Sequence, residues 1–211
     1  MFVPMAAGAD AFLVTVPGGL ALVERDAPGV SLELQQTQDG GNFGTLMLEN
    51  ARAEAIEGDA TEALEHTIMA SSAYLFGLMD RAFTVTLDYM KTREQFGRKI
   101  GSFQALQHRA VDMQIQLSLT RATVATAADA LDSAPTPAQR QAAVSRAKVR
   151  ASDAAMMVTR GCIQLHGGIG YTDAADIGLF LRKAMVLAPL YGPPHVHRQR
   201  FRAVAPELVD E

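Results

Sequence analysis

Between residues 59 and 96 the chain runs without a proline, and apolar residues return at helical spacing: Leu64, Ile68, Leu75, Leu78, Met79, Val85 and then Leu87 to Met90. One helix over this segment would be on the order of 50 Å long at about 1.5 Å per residue. An element of that length cannot bury its own apolar stripe; it needs other helices of similar length beside it. The downstream sequence supplies them. A second stripe, Leu106, Ala110, Met113, Leu117, Thr120 and Val124, follows a start at Ser102 and fades near Ser133. Pro135-Thr136-Pro137 breaks the pattern, and an alanine-rich third helix is predicted from about 138 to 165, stopped by Gly167-Gly168. A shorter helix is expected over about 174–186, and a last one after Pro193-Pro194. Long antiparallel helices joined by short loops predict a mainly α fold, an up-and-down four-helix bundle.

The first 50 residues have a different period. Segments 11–16 and 20–24 are β-prone and separated by Pro17-Gly18-Gly19, which predicts a hairpin. Segments 30–34 and 43–48 alternate as further strands around Asp39-Gly40-Gly41-Asn42. The expectation is four short strands in one partial antiparallel sheet, with a β-domain over 1–55 and a helical domain over 56–211.

Composition excludes several classes. A net charge of −4 without a block of basic residues argues against a nucleic-acid partner. No uncharged apolar run reaches the roughly 18–20 residues of a membrane helix, so no membrane insertion is expected. The sequence from Met1 to Met5 lacks the positive start of a signal peptide, and the lone Cys162 suits a reducing compartment, so the expected location is cytoplasmic. No paired Glu-x-x-His motifs mark a di-iron bundle, and His195-Val196-His197 lacks carboxylate support; no metal site is expected.

Two motifs carry the chemistry. The first is Arg93-Glu94-Gln95-Phe96-Gly97-Arg98-Lys99-Ile100, followed by Phe103, Gln104 and Gln107. It closes the long helix, with Arg93 expected in the last turn and Gly97 as the stop. A guanidinium offers a fork of donors matched to phosphate oxygens, and Phe96 offers a face for a flat ring. The second is Gln164-Leu165-His166-Gly167-Gly168-Ile169-Gly170-Tyr171. It follows a helix, so it is not the strand-glycine-helix fingerprint of a Rossmann loop. Glycines there would let backbone amides approach phosphate or ribose oxygens. Taken alone, the first motif also reads as an ordinary helix end and the second as a helix stop. His166 reads as a residue that packs or hydrogen-bonds locally.

Arg-x-Gln-Phe-Gly-x-x-Ile with a following Phe-Gln, and Gln-x-x-Gly-Gly-x-Gly, together resemble the two flavin-contacting motifs in the helical C-terminal domain of acyl-CoA dehydrogenases. The resemblance implies an FAD-dependent α,β-dehydrogenation of an acyl-CoA thioester, in fatty acid metabolism. It implies FAD contacts at Arg93, Gln95, Phe96, Ile100, Phe103 and Leu106 from the first corner, with Arg93 on the pyrophosphate. Gln164, Gly167 and Gly168 of the second corner would meet the ADP part of an FAD held mainly by a neighbouring subunit. The resemblance also implies self-association as a dimer or tetramer, or pairing with a longer acyl-CoA dehydrogenase subunit. Residues 10–50 resemble the later part of the family's middle β-domain and 59–202 its C-terminal domain. The family's N-terminal domain and earlier β segment have no counterpart here. The chain thus resembles a truncated or split dehydrogenase, or one subunit of a larger assembly. The alternative is a non-catalytic FAD-binding or oligomerisation subunit.

In many members the catalytic glutamate follows a tyrosine, in Tyr-Glu-Gly-Thr. Here Tyr191, a candidate substrate contact, is followed by Gly192-Pro193-Pro194. A smaller branch places the carboxylate near the start of the long helix, which counts back from Arg93 to Thr67. The neighbouring His66 and Glu65 are the remaining candidates for a base, both otherwise expected as solvated or interface side chains.

Overall fold

The computed structural model describes residues 2–133 and 136–204. They form two compact units, Met1–Leu64 and Glu65–Glu211.

The first unit is built from six strands: β1 (Phe2–Pro4), β2 (Ala11–Val16), β3 (Gly19–Glu24), β4 (Val30–Gln36), β5 (Asn42–Leu48) and β6 (Glu54–Ile56). They form two antiparallel sheets of order β1-β5-β4 and β2-β3-β6, rather than the single four-stranded sheet expected. β2 and β3 make the anticipated hairpin, with Val16 opposite Gly19 and Ala11 opposite Glu24. The missed strands, β1 and β6, have only three residues each, too few for an alternation to register. Phe12 and Val14 from β2, Ala21 and Val23 from β3, and Leu46 from β5 join Ala6 in one buried cluster, so the two sheets share a core.

The helical elements are α1 (Thr61–Thr92), α2 (Gln104–Ser133), α3 (Pro137–His166), α4 (Ile177–Leu187) and α5 (Pro194–Val204). α1 buries Ile68, Ser72, Leu75, Met79, Ala82, Phe83, Thr86 and Met90, a stripe at spacings of three and four. α2 buries Ala110, Met113, Leu117, Thr120 and Val124, as its periodicity predicts. Leu75 and Met79 of α1, Met113 and Leu117 of α2, Val158 and Cys162 of α3, and Ile177 and Ala184 of α4 meet in one cluster. α3 is the axis of the bundle and packs against α2, α4 and α5. Its alanines explain why: Ala147, Ala151 and Ala155 are fully buried, and small side chains let several helices approach at once. Thr136 caps α3, accepting from the Gln139 amide (3.2 Å) while the Gln139 side chain accepts from the Thr136 amide (3.3 Å). Pro135, part of the expected break, lies outside the described residues.

A lysine sits inside this bundle with no exposed surface. Lys148 on α3 donates to the Leu187 carbonyl (2.9 Å) and the Ser71 hydroxyl (3.0 Å), and Ser152 one turn on donates to the Ala188 carbonyl (3.1 Å). The carbonyls at the end of α4 lack helical partners, and a cation there also meets the negative end of the helix dipole. Burial lowers the Lys148 pKa from 10.5 to about 8.

Candidate functional site

The sequence places Gly97 as a helix stop, but α1 ends at Thr92, earlier than the expected Phe96. Past Thr92 the chain forms a miniature hairpin of β7 (Glu94–Gln95) and β8 (Arg98–Lys99). Phe96 (φ 54°) and Gly97 (φ 76°) occupy its two turn positions, both in the left-handed region that a tight two-residue turn of this hand requires. Such a conformation is uncommon for a phenylalanine, and the ring is left 91% exposed at the tip. Arg93 therefore lies one residue past the helix. Its amide still donates to the Tyr89 carbonyl (2.8 Å) and its carbonyl accepts from Ile100 (2.9 Å). The periodicity of α1 carried no sign of this end, because a two-residue strand leaves no pattern of its own.

All nine residues assigned to the cofactor from the two motifs line one cleft of about 700 Å³. The hairpin supplies Arg93, Gln95 and Phe96; the connection to α2 supplies Ile100 and Phe103, and the first turn of α2 supplies Leu106. Opposite them, the end of α3 supplies Gln164, and the 3₁₀ turn Gly167–Tyr171 supplies Gly167 and Gly168. The two corners thus meet within a single chain, where the resemblance left them to converge from different copies.

The cleft has polar groups that the chain does not use. The Arg93 guanidinium has no ion pair or hydrogen bond among the described residues, whereas Lys99 beside it pairs with Glu94 (2.6 Å). The walls are aromatic. Phe103 stands edge-on to Phe96, with ring centroids 6.2 Å apart and planes at 89°, and the Arg98 guanidinium lies 4.0 Å over the Phe103 ring. Tyr89 and His166, which also line the cleft, stack at 4.4 Å with planes 17° apart. The His166 Nδ1–H donates to the Cys162 carbonyl (2.8 Å), which fixes the ring. Tyr89 was missed from the sequence, although it sits one helical turn before Arg93, a spacing that puts both on one face. A Cβ built on Gly168 meets nothing within 4 Å, and that residue is not in the left-handed region. The chain's own packing would accept a side chain there, so the space belongs to the cleft.

The Tyr191–Gly192 loop is arranged differently. Tyr191 does not line the cleft. It holds φ 60°, and its carbonyl accepts from the His197 Nε2–H (3.0 Å), which leaves Nδ1 facing the Arg200 guanidinium (3.5 Å). His197 is fully buried, and burial, more than any neighbouring charge, pushes its pKa from 6.5 down to about 4. Gly192 sits at φ 109°, where a Cβ would come within 2.8 Å of His197 Nε2. No side chain fits at this position in this conformation. Glu65, expected as a solvated or interface residue, is instead 5% exposed and ion-paired to Arg200 from α5; its Oε2 has no hydrogen-bond partner among the described residues. Sequence reasoning missed this because the partner lies 135 residues away. His66 is exposed on α1, and Thr67 is half-buried.

The profile of the acyl-CoA dehydrogenase C-terminal domain matches residues 58–205. Acyl-CoA dehydrogenase IpdE2 of Mycolicibacterium smegmatis is 34% identical over 194 residues, which is 89% of this chain and 60% of that protein. The 3-sulfinopropanoyl-CoA desulfinase of Paraburkholderia xenovorans is 38% identical over 181 residues, 84% of this chain and 42% of that protein. A solved variant of the Tcur3481-Tcur3483 steroid ACAD superposes with a TM-score of 0.89 at 30% identity, covering 99% of this chain and 58% of that one. The ChsE4-ChsE5 complex from Mycobacterium tuberculosis gives 0.85 at 27%, covering all of this chain and 59% of that one. This chain spans 60% or less of the length of these relatives. No described helix is long and apolar enough to cross a membrane. With the profile matching most of its length, and both motifs in one cleft, the chain belongs to the acyl-CoA dehydrogenase family.

Proposed function

We propose that this chain holds the ADP half of FAD in an assembly that dehydrogenates an acyl-CoA thioester between Cα and Cβ. The observation that carries the reading is the Arg93 guanidinium, without a partner among the described residues, on a cleft shared with Gly167 and Gly168. The residues fit the group. Arg93 would meet the pyrophosphate, Phe96 and Phe103 would flank a flat ring, and the Gly167-Gly168 backbone with Gln164 would take the remaining oxygens. Bound flavin would supply the acceptor for the hydride leaving Cβ.

The proton at Cα needs a carboxylate, and this chain's own candidates are poor. Gly192 has none, and Glu65 is held by Arg200. The base is therefore assigned to a residue at neither of these positions, in this chain or in a second copy of it. Two relatives are named as pairs, Tcur3481-Tcur3483 and the ChsE4-ChsE5 complex, which supports a paired arrangement. The sealed Gly192 loop favours a second reading, in which the chain is a non-catalytic FAD-binding and oligomerisation subunit.

The test is the absorption spectrum of the chain purified alone and with a longer homologue co-expressed. A flavin band on the chain purified alone that bleaches on adding acyl-CoA supports the first reading, and a band that bleaches only with the longer subunit present supports the second. Arg93→Ala should weaken FAD retention by about 1.5–3 kcal/mol, the range for a charge-assisted contact. No flavin in either preparation, or retention unchanged by Arg93→Ala, would refute the assignment.

A further inference from the structure

A second cleft, of about 430 Å³, lies between α3 and α5 and shares no residue with the first. Its walls are unusual for a chain with a formal net charge of −4. Arg146 and Arg150 enter from α3, and Arg198 and Arg202 from α5, around the apolar Val149 and Phe201. Among the described residues only one of the four charges is neutralised: Arg198 pairs with Asp153 at 2.6 Å. Arg150 is bound to the neutral Gln116, through its side-chain oxygen at 2.6 Å, and keeps its full charge. Arg146 and Arg202 have no ion pair or hydrogen bond among the described residues. Three uncompensated guanidiniums around one concavity repel one another, an arrangement that a bound anion relieves.

We infer that the α3–α5 cleft binds a phosphate-bearing small molecule, with the phosphates on Arg146, Arg150 and Arg202 and a flat base against Phe201. Guanidinium forks match phosphate oxygens in geometry, and an aromatic face with arginines at its rim suits a nucleoside phosphate better than a bare anion. The site does not depend on the dinucleotide cleft and is tested apart from it.

The experiment is calorimetric titration of ADP and of inorganic pyrophosphate into the wild-type chain, Arg93→Ala, and the double variant Arg146→Ala/Arg202→Ala. ADP should bind Arg93→Ala as it binds this site in the wild type. The double variant should lose at least about tenfold in affinity at this site. Thermal melts check that both variants fold, and the charge-retaining pair Arg146→Lys/Arg202→Lys should recover part of the binding. ADP should bind more tightly than pyrophosphate; equal affinity would overturn the placement of the base on Phe201. Binding that disappears in Arg93→Ala, or survives when Arg146→Ala/Arg202→Ala is combined with Arg93→Ala, would overturn the site. So would an absence of heat with either probe while the double substitution changes the oligomeric state, since the cleft would then be a protein contact.

Discussion

The corner around Arg93 and the loop around Gly192 are both built where helices end, and they use their polar groups in opposite ways. At Arg93 the guanidinium has no partner among the described residues, Phe96 projects into solvent, and Gly168 leaves open space. At Gly192 the groups turn inward. His197 ties down the Tyr191 carbonyl, Arg200 holds Glu65, and the space a side chain would need is filled by an imidazole. The first corner is open toward a ligand and the second is closed on itself. In this chain the residues of both motifs stay on an open cleft, while Gly192, the position that the resemblance aligns with the usual base, is closed against His197.

The largest effect that sharpens this contrast is expected from Gly192→Glu. A left-handed backbone conformation and a Cβ overlap with His197 should together cost about 3 kcal/mol or more. Urea denaturation would measure the loss, and no acyl-CoA oxidation should be gained. Unchanged stability would mean that the loop is not sealed. Glu65→Gln comes next. Removing one member of a buried pair leaves Arg200 uncompensated, at about 3 kcal/mol, read as a lower urea midpoint with an unchanged slope.

A pH profile tests the same loop. Unfolded His197 takes up a proton near pH 6.5, which the folded chain does not accept until about 4. Its contribution is therefore complete above 6.5 and lost as the pH falls toward 4, on the order of 3 kcal/mol in all. A His197→Gln chain should show a flatter acid limb. Lys148 acts in the same sense at higher pH, since the folded chain binds fewer protons between about 8 and 10.5 and stability rises across that interval. The smallest effect belongs to the open corner. Gly168→Ala should leave stability within about 0.5 kcal/mol while weakening FAD retention by about 1 kcal/mol, because only the ligand competes for that space. A flavin affinity unchanged by Gly168→Ala would place the cofactor elsewhere.

The period of the sequence was enough to locate the long helices, because burying one face of a helix imposes a repeat that can be read locally. The motif residues were legible one by one for the same reason, as arginine, aromatic and glycine types at helix ends. The short strands β1 and β6 and the hairpin at Phe96 were not, since two or three residues hold too little pattern to compete with their neighbours. By itself, then, the order of residues determined the bundle, the family and the nine-residue set at the two corners. Only the tertiary structure decided that those corners share one cleft, that Glu65 is held by a helix 135 residues away, and that four arginines surround a second cavity. Local pattern records which face of an element is buried. It does not record which distant charge or ring meets that face, because that depends on how every intervening helix packs.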